Sequence, residues 1–282
     1  PFTSDFLRSA NRGLPVRLHQ RDIMRRTVRA LFQTRGYLEV DTPRFAINPG
    51  MDPHLSAFEV AGTGKFLVTS PEYHLKRAVT MGIGNCYQLS TVFRRDEAGT
   101  HHLPEFTMLE WYQLFADAAA LMEETEALVR EVSKSIRPDL RIKHRGIEVD
   151  LNLPFERLRI ADLFSGLLTI DAHTLGNDQF FEHWVTTIEP HLATKTNAVF
   201  VTDFPIRFAS LARPHPQNPK VAERFELYVA GIELSNGFCE LTDATELRRR
   251  WTEQAREHEV NQSPVYPFDE ALLDAMDQGL PP

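Results

Sequence analysis

The fold is decided by residues 86–112, which read CYQLSTVFRRDEAGTHHLPEFTMLEWY. Apolar, aromatic and β-branched residues dominate 86–93 and again 106–115, and a polar segment from Arg94 to Glu105 separates the two runs. This pattern predicts two antiparallel strands joined by a charged loop, a long hairpin. Side chains two residues apart on a strand share a face, so Glu110 lies with Tyr112, and Arg94 lies with Asp96.

In the rest of the chain, the spacing of apolar residues predicts both helices and strands, in no regular order. We expect helices at 16–34, 71–81, 116–136, 160–167, 177–188 and 243–259, and strands at 37–40, 66–68, 198–203, 224–229 and 238–241. The proline-rich segment 214–219 predicts a loop. No linker divides the chain, so we expect one α+β domain over residues 1–282, with an antiparallel β-sheet flanked by helices.

Composition excludes several classes of protein. The 282 residues are 42% hydrophobic, which suits a globular core, and 31 Lys and Arg against 39 Asp and Glu give a net charge of −8. That acidic balance disfavours broad nucleic-acid or membrane-surface binding. The two cysteines suggest neither a disulfide framework nor a zinc site. Without a signal peptide or an apolar membrane segment, we expect a cytoplasmic protein with no membrane partner.

Three segments carry candidate chemistry, and each also has an ordinary structural explanation. The hairpin could bind a phosphate and a cationic substrate, although surface salt bridges on a solvated hairpin are the commoner use of such residues. The carboxylates around Gly231 and Gly237 could hold Mg²⁺ with phosphates, or could be exposed acids on an edge strand. The helix start at 69–77 could capture an anion, or Glu72 could complement the helix dipole.

Taken together, the segments resemble the class II aminoacyl-tRNA synthetases of the lysyl subgroup. The resemblance rests on three stretches: TRGYLEVDTP at 34–43 is similar to the dimer-forming motif 1, 93–110 to motif 2, and GIELSNGFCEL at 231–241 to the lysine-pocket segment. It implies a class II catalytic fold, ATP and Mg²⁺ as cofactors, and a homodimer.

The same resemblance implies the nucleotide site. Arg94 matches the arginine that stabilises the α-phosphate and is the catalytic candidate, while Asp96 matches the acid that reads the adenine amino group, where the family usually has glutamate. His102 matches a histidine near the distal phosphates, and Phe106 matches the aromatic ring under adenine. The paired Mg²⁺ ligands, which also bind nucleotide, correspond to Glu226 and Glu233.

For the amino-acid substrate, the resemblance implies a pocket for a diamine. Glu240 and Tyr112 match the groups that hold the side-chain ammonium. Glu72, Glu110 and Asn236 match those around the other amine and the carboxylate. Carboxylates at both ends suit lysine-like substrates because each buried ammonium needs an anion. The sequence leaves open which glutamate binds which amine.

The sequences of these motifs are similar to those of the truncated lysyl-synthetase paralogues that modify elongation factor P. The residues before Thr34 are too few for an anticodon-binding domain, so we expect no tRNA partner. The resemblance implies a ligase that activates (R)-β-lysine as an adenylate and transfers it to a lysine of elongation factor P. Two alternatives stay open: charging of tRNA with lysine, and an inactive dimer that binds lysine or nucleotide. The chain ends where we expect motif 3 to begin.

Overall fold

The computed structural model describes residues 13–52, 55–99, 102–260 and 262–282. These residues fall into two compact units. The first unit comprises 13–35, 118–205 and 224–237, and the second comprises the described parts of 36–117, 206–223 and 238–282. The single catalytic domain expected over residues 1–282 stays a prediction.

Helices and strands alternate irregularly, and the mixed α and β composition agrees with the expected class. The helices, numbered in chain order, are α1 (Leu14–Thr34), α2 (Glu72–Thr80), α3 (Ala118–Ile136), α4 (Ile160–Leu168), α5 (Asn177–His183), α6 (Glu189–Leu192), α7 (Ala244–Val260) and α8 (Glu270–Gly279). The strands are β1 (Leu38–Glu39), β2 (Phe45–Ala46), β3 (Glu59–Val60), β4 (Lys65–Leu67), β5 (Cys86–Phe93), β6 (Glu105–Tyr112), β7 (Arg141–His144), β8 (Ile147–Asp150), β9 (Glu156–Arg159), β10 (Val199–Thr202), β11 (Pro214–His215), β12 (Asn218–Ala222), β13 (Arg224–Val229) and β14 (Ile232–Phe238).

The second unit is built on the expected hairpin. Strands β5 and β6 pair antiparallel from Cys86 opposite Tyr112 to Phe93 opposite Glu105, and β1 pairs parallel with β5. Glu110 stands opposite Gln88, so Glu110, Tyr112 and their partners share one face of the sheet. The core of this unit includes Leu75 on α2 and Trp251 on α7. The hairpin prediction is confirmed in both position and pairing.

The first unit contains a four-stranded mixed sheet in the order β14-β13-β10-β9. Strand β10 is antiparallel to β13 and parallel to β9. Phe200 and Phe225 meet edge to face in its core, with ring centroids 5.3 Å apart. Alternation along β13 places Arg224, Glu226 and Tyr228 on one face of the sheet.

Three sequence expectations require correction, and two elements were not expected at all. The antiparallel sheet is confirmed only in part: β5 and β6 pair antiparallel, but the strands form separate small sheets that also contain parallel pairs. The segment 214–219 is not a loop: β11 and β12 pair there, with an irregular register. The strand expected at 238–241 instead spans Ile232–Phe238. Finally, the β7–β8 hairpin and helix α8 were not predicted.

Within the described ranges, every helix is too short or too polar to cross a bilayer.

A tight turn at Ala230 and Gly231 carries the chain from β13 into β14. Both residues have positive φ, 52° and 75°. A Cβ atom on Gly231 would lie 2.6 Å from the Cβ of Ala193 and 2.8 Å from its Cα. Gly231 is therefore required both by the backbone conformation and by the close approach of Ala193.

We expect Gly231→Ala to lower the free energy of unfolding by about 2–4 kcal/mol, since strain at positive φ adds to overpacking. Urea denaturation followed by circular dichroism measures this loss. Gly146→Ala is the matched control in the same unit, because Gly146 has φ of 87° but open space around its Cβ position. Equal losses in the two variants would contradict the packing argument.

Candidate active site

A buried ammonium lies between two carboxylates in the second unit. The Lys76 Nζ is 2.7 Å from Glu72 Oε1 and 2.6 Å from Glu240 Oε2. Glu72 and Lys76 are four residues apart on α2, so both side chains project from the same side of the helix. The Lys76 side chain is only 2% exposed, and its Nζ lies 5.3 Å from the centroid of the Phe238 ring. The two ion pairs compensate for removing this ammonium from water.

Strand β6 adds a third carboxylate and a phenol to the same environment. The Tyr112 hydroxyl donates a hydrogen bond of 2.9 Å to Glu110 Oε1, as their positions two apart on β6 allow. Electrostatic interactions link Glu110 to Glu72, Glu240 and Lys76. We call these five residues, Glu72, Lys76, Glu110, Tyr112 and Glu240, the carboxylate cluster.

Burial governs the protonation of the cluster. Burial, reinforced by the charges of Glu72 and Glu240, raises the pKa of Glu110 to about 8. Burial also raises the pKa of Glu240 to about 7, although the Lys76 ammonium opposes that rise. For Lys76, burial alone would lower the pKa, but Glu240 and Glu72 outweigh it and raise the pKa. The cluster therefore holds acids whose ionised forms a further cationic amine can neutralise.

Two of the residues expected to bind nucleotide, Arg94 and Phe106, lie together at the end of the hairpin. The Arg94 guanidinium lies over the Phe106 ring at 5.3 Å, and its Nε donates to the Thr69 carbonyl at 3.3 Å. Its Nη1 is 3.1 Å from Glu97 Oε1. The structure thus brings Arg94 and Phe106 together and already orients the guanidinium.

Asp96 and His102 have hydrogen-bond partners other than Arg94. Asp96 is exposed and accepts two hydrogen bonds of 3.2 Å from Arg95, which lower the pKa of its carboxyl. His102 is exposed in the loop, where its carbonyl accepts a hydrogen bond from the Gly99 backbone. Among the described residues, neither side chain is hydrogen-bonded to Arg94.

In the first unit, Glu226 and Asn236 are joined by an arginine. Arg224 Nη2 donates to Glu226 Oε1 at 2.7 Å, and its Nε donates to Asn236 Oδ1 at 3.0 Å. The Tyr228 hydroxyl donates to Glu226 Oε2 at 2.7 Å. Burial, with the negative charges of Glu226 and Glu233, raises the pKa of Tyr228. Glu233 itself is at an exposed position of β14.

The oxygen donors of the first unit suit a metal ion whose coordination is completed by phosphate and water oxygens. They are too few to hold a metal ion alone. Across the described part of the chain, no three His, Cys, Asp or Glu side chains are grouped to hold a metal ion. Mg²⁺ is commonly bound by one or two protein carboxylates and completed by water and phosphate oxygens. Glu226 and Glu233 fit that donor set. Glu189 is a further acid nearby: burial, with the charge of Glu226, raises its pKa.

Sequence reasoning gave no role to Lys76, Glu97, Arg224 or Tyr228. The signal for Lys76 was its spacing of four from Glu72, and for Arg224 and Tyr228 it was alternation around Glu226. Both spacings also occur on ordinary surface helices and strands, so only burial distinguishes these residues.

Comparisons with known proteins agree on one family. A family model described as tRNA synthetases class II (D, K and N) matches residues 2–282. Proteins named elongation factor P–(R)-beta-lysine ligase from Edwardsiella ictaluri and Salmonella paratyphi B are 38% and 39% identical over 269 residues. The match covers 90% of this chain and 82% of each relative. A protein of the same name from Salmonella heidelberg is 39% identical over the same length.

The raised pKa of Glu110 predicts a pH-dependent stability. Between the ordinary carboxyl pKa and about 8, the folded state keeps a proton that the unfolded state releases, so stability falls as pH rises. Glu110→Gln, which mimics the protonated form, should remove this dependence. The unfolding free energy of Glu110→Gln minus that of the wild type should rise by about 1 kcal/mol per pH unit between the ordinary carboxyl pKa and about 8. Urea denaturation at several pH values measures this slope.

Glu59→Gln, at an exposed position of β3, is the control and should leave the slope unchanged. A Glu110→Gln variant that follows the wild-type pH dependence would show that Glu110 stays ionised in the folded protein.

Proposed function

Since the chain belongs to the class II tRNA synthetases of the D, K and N group, we propose that it is an ATP-dependent ligase that attaches (R)-β-lysine to elongation factor P. The relatives that carry this ligase name match nine-tenths of the chain at 38–39% identity. The observation that carries the proposal is the carboxylate cluster, whose half-buried acids already hold one buried ammonium ion.

The cluster accounts for the amino-acid substrate. A lysine-type substrate presents two ammonium groups, and each must meet an anion when it leaves water. We assign Glu240 and Tyr112 to the side-chain ammonium, and Glu72 and Glu110 to the other amine. The role of Asn236, which lies in the first unit, stays a prediction.

The proposed reaction has two steps. The substrate carboxylate attacks the α-phosphorus of ATP, and the bond to the β-phosphate oxygen breaks and releases pyrophosphate. Arg94 stabilises the negative charge that develops on the α-phosphoryl oxygens, because a guanidinium is a strong, fixed hydrogen-bond donor to phosphate. Arg94 must exchange its ion pair with Glu97 for this contact, while Phe106 supports the guanidinium and the adenine.

In the second step, the amine of a lysine on elongation factor P attacks the carbonyl carbon of the adenylate. The bond to AMP breaks, the amine loses a proton, and an amide forms. Mg²⁺, which Glu226 and Glu233 would hold, supplies charge neutralisation for the phosphates. Asp96 and His102 remain candidates for adenine and distal phosphate, respectively. A homodimer and a cytoplasmic location belong to the same proposal.

The proposal predicts that the full-length protein adds the mass of one β-lysyl group to elongation factor P when ATP, Mg²⁺ and (R)-β-lysine are present. Glu240→Gln should raise the KM for (R)-β-lysine by about 100-fold, because one ammonium loses its charged partner. Intact-mass spectrometry and pyrophosphate release measure the two effects. Glu253→Gln, at an exposed site of α7, is the control and should behave like wild type.

Lysine appearing on tRNA while elongation factor P stays unmodified would overturn this function in favour of a tRNA-charging enzyme. Binding of (R)-β-lysine without pyrophosphate release would instead indicate an inactive binding protein.

A further inference from the structure

Lys76 differs from the other basic residues of the protein in its burial. Among the described residues, no other Lys or Arg is buried. Its ammonium contacts Glu72 and Glu240 on two separate segments, α2 and the chain after β14, and lies over the Phe238 ring. A buried ammonium is retained only where it is paired, and an apolar residue of similar size often stabilises a fold equally well. Stability alone therefore does not explain why a lysine occupies position 76 in the proposed substrate site.

Counting charges supplies that reason. The cluster contains three carboxylates and one ammonium, and Tyr112 is neutral in its ordinary form. Glu110 keeps its proton in the empty cluster, so Glu72 and Glu240 leave one negative charge beyond the Lys76 ammonium. A substrate with two ammonium groups neutralises that charge with one of them, and the other favours loss of the Glu110 proton. Without Lys76, a second carboxylate would need a proton as well.

Other titratable groups lie around the cluster. Tyr73 interacts with Glu72 and Cys86 with Glu110, while Asp269 interacts with Tyr73, which is not a member of the cluster. Arg77 is paired with Asp269 at 3.1 Å, so that cation already has a carboxylate. Lys76 is the cation that directly contacts two acids of the cluster.

We propose that Lys76 is a positioning residue that sets the charge of the pocket for substrates with two ammonium groups, by neutralising one carboxylate and holding Glu240 ionised beside Glu72. This inference rests on the proposed function, since it assumes a lysine-type substrate. It deepens that function by explaining how the cluster accommodates a substrate with two ammonium groups.

The electrostatics of Glu240 give the proposal a measurable consequence. Burial raises the pKa of Glu240 to about 7, the Lys76 ammonium lowers it, and the Glu72 charge raises it. Binding of two ammonium groups favours ionised Glu240 and Glu110, so affinity should increase with pH through the pKa values of both carboxyls and level off above them. Changing Lys76 or Glu72 should move that midpoint in opposite directions.

The test is the affinity for (R)-β-lysine and for L-lysine, measured by titration calorimetry on the full-length protein without nucleotide. Lys76→Met should lower affinity at least about tenfold near pH 7 and recover most of the loss near pH 9, because its midpoint moves up. Glu72→Gln should lower the plateau affinity but move the midpoint down. Lys76→Arg, which keeps the charge, should keep the wild-type midpoint.

Lys65→Met is the matched control, because Lys65 is in the same unit and also lies over an aromatic ring, that of Phe45 at 5.1 Å. It should leave the profile unchanged. If Lys76→Met does not fold, the opposite shift in Glu72→Gln and the unchanged midpoint of Lys76→Arg still test the proposal.

A loss of affinity in Lys76→Met that is equal at every pH would overturn the inference, since a merely structural role produces that result. Shifts in the same direction for Lys76→Met and Glu72→Gln would overturn it as well. Wild-type protein that binds neither amino acid at any pH would overturn the proposed substrate class, and this inference with it.

Discussion

The ion pairs of Lys76 with Glu72 and Glu240 are the interaction on which the chemistry of the second unit depends. Three half-buried glutamates lie around one buried ammonium, and each carboxylate would be costly to desolvate alone. Repulsion among them would favour protonation or separation of the strands and helix that carry them. A single internal ammonium between two of the acids makes their proximity tolerable and still leaves negative charge for a substrate. The same contact thus serves both the fold and the proposed binding of amines.

The backbone elements around these ion pairs explain how the geometry is maintained. Glu110 and Tyr112 have positions fixed by the antiparallel register of β5 and β6, in which a slip of one residue would turn both side chains to the opposite face. Glu72 and Lys76 are fixed by one turn of α2, whose apolar residues Leu75 and Val79 are buried in the core. Functional side chains on regular elements vary less in position than side chains on loops.

Part of this structure could be predicted from sequence, and the rest depended on tertiary contacts. The β5–β6 hairpin and α2 were predicted because alternation and the Ser-Pro-Glu start are strong local signals. Lys76 was missed because a Glu and a Lys four apart usually form an exposed pair. Strand β14 was misplaced because Gly237 resembles a strand end. In the structure the Phe225 ring lies 2.4 Å from where a Cβ of Gly237 would be, so this glycine permits close packing within a strand.

The two arginines near the candidate phosphate-binding residues illustrate a further constraint. Arg94 is paired with Glu97, and Arg224 is paired with Glu226, each in its own unit. A half-buried guanidinium without a partner would be unfavourable in the protein without ligand, so each guanidinium is paired with a carboxylate. The two ion pairs would respond differently to a bound ligand. Under the proposed function, Glu97 would release Arg94 when a phosphate binds, whereas Tyr228 also donates to Glu226, so that acid keeps one hydrogen bond even if Arg224 moves. Exchange of the Arg94 partner would then couple nucleotide binding to local rearrangement, while Arg224 links Glu226 to Asn236.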